Sequence, residues 1–228
     1  MLHLGTLVAT IAFFWSSFRG MAVEGVQAIG DKAEGRSWRD IFARRPDARL
    51  LWLVIVGSIP TGLMGVLFRH QLEESFADTR AIAWQLLVTA AMLLVTVFIK
   101  KQGRDIQQMT VWDALLIGVM QGVAIIPAIS RSGATIATAL VLGIDRELAA
   151  RYSFVLSVPA IAGAFLLELV KHKPSLAQPG AMAVGFFFSV VFGMLALAFL
   201  MPVVRRGRVH LFAGYLIPLA LVTFWFVK

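Results

Sequence analysis

Residues 111–143 form an apolar block that is too long for one membrane crossing and too short for two. At about 1.5 Å per helical residue, roughly 20 residues cross the hydrocarbon core, so two crossings and a turn need more than about 40. The block has 33 residues. It is interrupted by Gln121, Gly122, Pro127, Ser130, Arg131, Ser132 and Gly133. A single straight helix would lose a backbone donor at Pro127 and turn Ser-Arg-Ser-Gly toward lipid. The block therefore predicts a re-entrant pair, with one arm in, a turn near the midplane and a shorter arm back out.

The remainder of the chain is built to surround such a hairpin. Hydrophobic residues make up 59% of it and charged residues 15%, in apolar stretches about as long as a bilayer is thick. The predicted spans are 2–18, 50–68, 81–99, 154–170, 181–202 and 210–227. Residues 2–18 lack a preceding basic stretch and a small-residue cleavage pattern, and so read as a retained span rather than a signal peptide. The fold class is an all-α polytopic membrane protein, about six transmembrane helices plus one re-entrant helix pair, in a single integral domain over residues 1–228.

Between the first two spans lies the longest polar region, 19–49, in which residues 38–42 (Trp-Arg-Asp-Ile-Phe) have the pattern of a short amphipathic helix on the membrane surface. Glu73, Glu74 and Asp78, on the loop before the third span, read as a solvated face rather than an acid–base or metal pair.

The net charge of +8 is not a nucleic-acid footprint, because the basic residues fall between the apolar stretches and there meet anionic headgroups and set orientation. With the hairpin folded back, fifteen basic residues share one side and five the other; a straight crossing gives thirteen against seven. The positive-inside bias favours the hairpin and places the C-terminus on the non-cytoplasmic side. No cysteine is present, which excludes a thiolate metal site and a cysteine nucleophile.

The chemistry concentrates at 127–135, Pro-Ala-Ile-Ser-Arg-Ser-Gly-Ala-Thr. An arginine at membrane depth is costly, by about 3 to over 10 kcal/mol at a bilayer centre, and normally faces a cavity or an anionic partner. If the second arm begins near Ser132, the amides of Gly133, Ala134 and Thr135 lack intrahelical partners and the helix dipole favours an anion there. Arg131 adds a fork of donors suited to phosphate, Gly133 allows close approach to the backbone, and Ser130, Ser132 and Thr135 add hydroxyls. The plainer alternatives are that the serines are helix caps and that Arg131 pairs with Asp113 or Glu168. Gln121, on the first arm, either orients a headgroup or makes a packing hydrogen bond; His172 reads as interface decoration. Phosphoryl transfer also needs a nucleophile or positioned water, an acid and commonly a carboxylate-held divalent cation. No pair of carboxylates falls within a predicted span.

The string from Gln121 through Pro127 and Ser130-Arg-Ser-Gly-Ala-Thr135 resembles the C-terminal signature of the undecaprenyl-diphosphate phosphatase family, the bacitracin-resistance proteins of bacterial inner membranes. The similarity continues from His3-Leu-Gly-Thr through Tyr152-Ser-Phe-Val-Leu-Ser-Val-Pro159 to the last span. It implies hydrolysis of a polyprenyl diphosphate to the monophosphate for lipid-carrier recycling, with Arg131 holding the diphosphate and Ser130 and Thr135 beside it. Ala128 stands where the family usually has glycine.

Family members begin with another re-entrant pair carrying a two-glutamate motif and Ser-Ser-Thr-Gly-His, an inverted repeat of the second. On that resemblance residues 1–110 are the remainder of the first repeat and 111–228 the second. The ligands of a divalent cation, Mg or Ca, are expected in the N-terminal motif, and weak or absent turnover is expected of the chain as it stands. The implied partners are a polyprenyl diphosphate lipid and membrane lipids, with room for a homodimer. A phosphate-lipid transporter or flippase, and a lipid-diphosphate binder without catalysis, are the competing functions.

Overall fold

The computed structural model describes residues 2–67, 79–99, 103–171 and 179–226. Among these residues ten α-helices follow one another along the chain. They are α1 (Leu2–Phe13), α2 (Trp15–Ala33), α3 (Trp38–Arg44), α4 (Pro46–Leu67), α5 (Thr79–Val95), α6 (Val111–Val123), α7 (Arg131–Val141), α8 (Arg146–Lys171), α9 (Pro179–Arg205) and α10 (Ala213–Phe226). Single 3-10 turns extend α5 (Thr96–Phe98) and precede α10 (Val209–Phe212).

The protein is a multi-pass membrane protein. Five of these segments are long and apolar enough to cross a membrane, and a bent pair, α1 with α2, makes a sixth if taken as one span. Large apolar side chains cover the outside, with Phe98, Trp225 and Phe226 each at least 80% exposed, a surface that only lipid or another protein can cover. The loop with Glu73, Glu74 and Asp78, and His172, lie outside the described residues. The expected spans at 50–68, 81–99, 154–170, 181–202 and 210–227 correspond to α4, α5, α8, α9 and α10 with its 3-10 turn.

The beginning of the chain differs from expectation. The predicted straight span at 2–18 breaks at Phe14, and the two helices meet at 74°. At 12 residues α1 is only about 18 Å long, well short of the hydrocarbon thickness. The sequence changes there from uniformly apolar to the charge-bearing face of α2, and Phe14 turns inward to stack on Phe154 at 5.7 Å. The polar region 19–49 is mostly helical rather than a loop. Its α2 buries Ser17, Met21, Ala28 and Asp31 on one face. The amphipathic helix expected at 38–42 forms as α3, with Ile41 buried and Trp38 stacked on Phe42.

Ion pairs tie this polar layer to the bundle. Asp31 accepts from Arg45 and Arg36, each at 2.6 Å, and these guanidinium donors hold its carboxyl below the ordinary aspartate range. The carboxylate of Glu24 accepts from the amides of Asp47 and Ala48 and so caps α4 from α2. Arg151 of α8 donates to Ser17 and pairs with Asp47. Four elements are thereby locked together on one side.

The residues 111–143 fold back as expected. At 13 and 11 residues, α6 and α7 are each too short to cross. Their outer ends meet on one arginine. Arg104 donates to both carboxylate oxygens of Asp113 near the start of α6 (3.2 and 2.6 Å) and to the carbonyl of Leu142 at the end of α7 (2.7 Å). The amides of Gly103 and Arg104 also donate to the Gly143 carbonyl. A crossing segment would hold these ends a membrane thickness apart. The hairpin is wedged between α4, α5 and α8. The closest approach is α4 on α6, where an added Cβ on Gly118 would collide with the Gly57 carbonyl.

Candidate functional site

The elbow of the hairpin, residues 124–130, carries the site. Ala128 has φ +58°, in the left-handed region. This conformation favours glycine over alanine. Thr89 of α5 holds the strained turn from outside, accepting from the amide of Ser130 at 3.2 Å and donating to the carbonyl of Ala128 at 3.4 Å.

α7 begins one residue earlier than the sequence suggested, at Arg131 with Ser130 as its N-cap. The Ser130 hydroxyl accepts from the amide of Gly133 at 3.1 Å, and its carbonyl accepts from that of Ala134 at 2.8 Å. The amides expected free on Gly133, Ala134 and Thr135 are therefore engaged or already one turn into the helix. No described residue accepts from the amides of Arg131 and Ser132, so the unpartnered donors sit at those two positions. Gly133 is required by the cap, because a Cβ there would stand 2.9 Å from the Ser130 hydroxyl.

Two cavities flank this helix start. One, about 380 Å³, is lined by Arg131 and Ser132, by Thr10 of α1, and by Ser153, Ser157 and Ile161, which recur every four residues on one face of α8. The other, about 350 Å³, is apolar apart from Ser130, Ser132 and Tyr215, and runs along Ile136, Phe199, Leu200 and Phe212. Ser132 lines both. The helix start thus separates a hydroxyl-rich chamber from an oily one.

Arg131 is half-buried, and among the described residues its guanidinium makes no hydrogen bond and no ion pair. Pairing with Asp113 is excluded, because both oxygens of that carboxylate are taken by Arg104, and Oδ2 also accepts from Thr110. The side chain of Glu168 is outside the described residues.

Other sequence candidates are placed elsewhere. Gln121 is fully buried, its amide nitrogen donating to Thr61 (3.2 Å) and to the Leu156 carbonyl (3.3 Å), so it joins α4, α6 and α8 and does not line either cavity. Thr135 is also buried and returns its hydroxyl to the carbonyls of Arg131 and Ser132. Ser153 was missed. Two serines four apart in an apolar span, Ser153 and Ser157, were the available signal.

A divalent cation does not fit the residues in hand. Among the described residues the Arg131 cavity is lined by a guanidinium, hydroxyls and apolar groups, without a carboxylate or imidazole, whereas Mg and Ca take hard anionic oxygens. No cluster of three His, Asp or Glu able to hold a metal occurs among the described residues.

The sequence matches the family described as "Bacitracin resistance protein BacA" over residues 1–222. It is 40% identical over 227 residues to the undecaprenyl-diphosphatase of Methanosphaera stadtmanae, covering 98% of this chain and 81% of that protein. It is 38% identical to the undecaprenyl-diphosphatases of Moorella thermoacetica (98% and 81% covered) and Desulfatibacillum aliphaticivorans (94% and 78%). With that similarity running through the hairpin and every span around it, the chain belongs to the bacitracin resistance protein family.

Proposed function

We propose that this protein is a membrane phosphatase that hydrolyses undecaprenyl or a similar polyprenyl diphosphate to the monophosphate, recycling the lipid carrier of cell-wall assembly. Water attacks the terminal phosphorus, the bond to the bridging oxygen breaks, and orthophosphate leaves. The relatives bear the name of that activity. The observation that carries the reading is Arg131, an unpartnered guanidinium beside a hydroxyl-lined cavity inside an apolar bundle.

Arg131 grips the diphosphate oxygens and stabilises the charge that builds on them as the bridging bond breaks. The free amides of Arg131 and Ser132 add donors at the positive end of the α7 dipole. Ser130, Gly133 and Thr135 fix the start of that helix, and Gln121 braces the opposite arm. The apolar cavity across Ser132 suits the first part of the prenyl chain. The protein resides in the bacterial inner membrane with its C-terminus on the non-cytoplasmic side, as the basic-residue asymmetry favours.

The test is phosphate release from farnesyl diphosphate by the purified chain with Mg or Ca supplied, comparing the parent with Arg131→Ala. A hydrogen bond to a charged group contributes about 1.5–3 kcal/mol and each 1.4 kcal/mol is tenfold, so removing the fork should lower kcat/KM by at least about tenfold. Release unchanged in the variant would refute the role of Arg131. Movement of the lipid across vesicles without phosphate release would replace hydrolysis with transport.

A further inference from the structure

We infer that Ser153 of α8 is a phosphate-binding residue, closing the cavity opposite Arg131 and donating its hydroxyl to the same diphosphate. The inference rests on the phosphatase reading and names a contact within its site that neither the arginine motif nor the family match assigns.

Four hydroxyls line this cavity. Thr10 donates to the carbonyl of Thr6 at 2.9 Å, and Ser157 to that of Phe154 at 2.7 Å, so each returns its proton to its own helix. Ser132 stands at the frayed helix start beside Arg131. Ser153 is different. It is only 2% exposed, and its Oγ has no hydrogen-bond partner. Burying a hydroxyl without a partner is unfavourable, and a serine deep in a helix can usually bond back to the preceding turn, as Ser157 does one turn later.

A hydroxyl left unpaired in the lining of the same cavity as a donor-only guanidinium fits a ligand rich in acceptors. The ligand must be anionic to satisfy Arg131, and must present several oxygens to reach the guanidinium, the two free amides and Ser153 together. A diphosphate has that number. A monophosphate offers fewer oxygens to the same donors, so Ser153 also contributes to discrimination between substrate and product.

The experiment measures binding of farnesyl diphosphate, farnesyl monophosphate and farnesol to the full chain in detergent micelles, by displacement of a labelled prenyl diphosphate and by ligand-induced rise in Tm. Ser153→Ala should weaken diphosphate binding about tenfold, as expected for one hydrogen bond to a charged group. It should leave farnesol binding unchanged. Without ligand its Tm should equal or exceed that of the parent, because the substitution removes an unsatisfied buried group. Ser153→Cys, which keeps a weak donor, should bind with intermediate affinity and serves if the alanine variant folds poorly. Ser58→Ala, whose hydroxyl bonds to the Val54 carbonyl on α4, should bind all three ligands like the parent.

If Arg131→Ala weakens diphosphate binding while both Ser153 variants bind as the parent does, this inference fails and the phosphatase reading survives. If Arg131→Ala itself binds like the parent, the site is misplaced and both fail. A loss of ligand-free stability in Ser153→Ala, with the preference for diphosphate over farnesol intact, would make the hydroxyl a packing group.

Discussion

Replacing Gly118 by alanine probes the contact that positions the hairpin. A Cβ at Gly118 would lie on the carbonyl oxygen of Gly57, with the carbonyl carbon at 2.9 Å and the Cα at 3.1 Å. All of these are backbone atoms, so no side-chain rotation relieves the clash and α6 must move away from α4. Overpacking of this kind costs about 1–3 kcal/mol. The separation also stretches the hydrogen bond from the Thr61 hydroxyl to the Gly118 carbonyl, 2.8 Å long, which contributes about 0.5–1.5 kcal/mol. The expected loss is about 2–4 kcal/mol, or roughly 5–15 °C in Tm for a domain of this size. Gly62→Ala is the matched control. It lies on α4, the helix that carries Gly57, nothing stands within 4 Å of its added Cβ, and alanine is the better helix former by about 0.5–1 kcal/mol. Intrinsic fluorescence of the six tryptophans in detergent reports both transitions. Equal Tm values for the two variants would show that α4 and α6 do not meet through Gly57 and Gly118, and the hairpin's position would have to be revised.

Three further outcomes follow from the same geometry. Ala128→Gly should raise Tm by about 1–3 °C, since the left-handed conformation costs alanine about 1–2 kcal/mol and the added freedom of glycine returns about 0.5–1 of that; a fall in Tm would contradict the positive φ. Ser130→Ala should cost about 1 kcal/mol through loss of the cap on Gly133 and Ser130→Asn should recover most of it, a difference readable by thermal unfolding. The Asp31 carboxyl is held below its ordinary value of 3.8 first by the hydrogen bond from Arg45. The stability it adds is therefore present above that value and lost as pH falls through the lower folded one, so the Tm gap between the parent and Asp31→Asn should persist at about pH 5 and narrow only as the pH falls below 3.8. A gap that closes above pH 5 would assign the acid sensitivity to another group.

The hairpin was legible because it follows from a length: 33 residues cannot cross twice, and Pro127 with Ser-Arg-Ser-Gly cannot lie along one lipid-facing helix. The choice of Arg131 followed from the cost of charge in hydrocarbon, which holds whatever the neighbours are. What depended on neighbours was not legible. The α1–α2 bend comes from Phe14 seating against Phe154, 140 residues away in sequence. The sequence left Gln121 between a headgroup contact and a packing hydrogen bond; its amide nitrogen donates to Thr61 and to the Leu156 carbonyl on two other helices. The free amides were misplaced by one to two residues because a serine on either side of Arg131 is an acceptable cap, and only the geometry of the elbow chooses Ser130. Ser153 was hidden because a serine that bonds to its own helix and one that does not are identical in sequence.

Other half-buried arginines take their acceptors from the protein. Arg45 binds Asp31, Arg151 binds Ser17 and Asp47, and Arg49 donates to the carbonyls of Ile106 (2.8 Å) and Met109 (2.9 Å). Arg104 makes four hydrogen bonds to three residues. Each of these side chains follows the rule that a guanidinium withdrawn from water takes acceptors from the protein. Arg131 stands at the inner end of the hairpin whose outer end Arg104 closes, and no described residue accepts from its guanidinium. A structural role would give it the kind of carbonyl that Arg49 has, and the elbow's own carbonyls lie nearby in sequence. Two of them accept from other groups: that of Ala128 from Thr89 and that of Ser130 from the amide of Ala134. None of the described carbonyls accepts from Arg131, and the guanidinium is left at a cavity where an anion can supply what the protein does not.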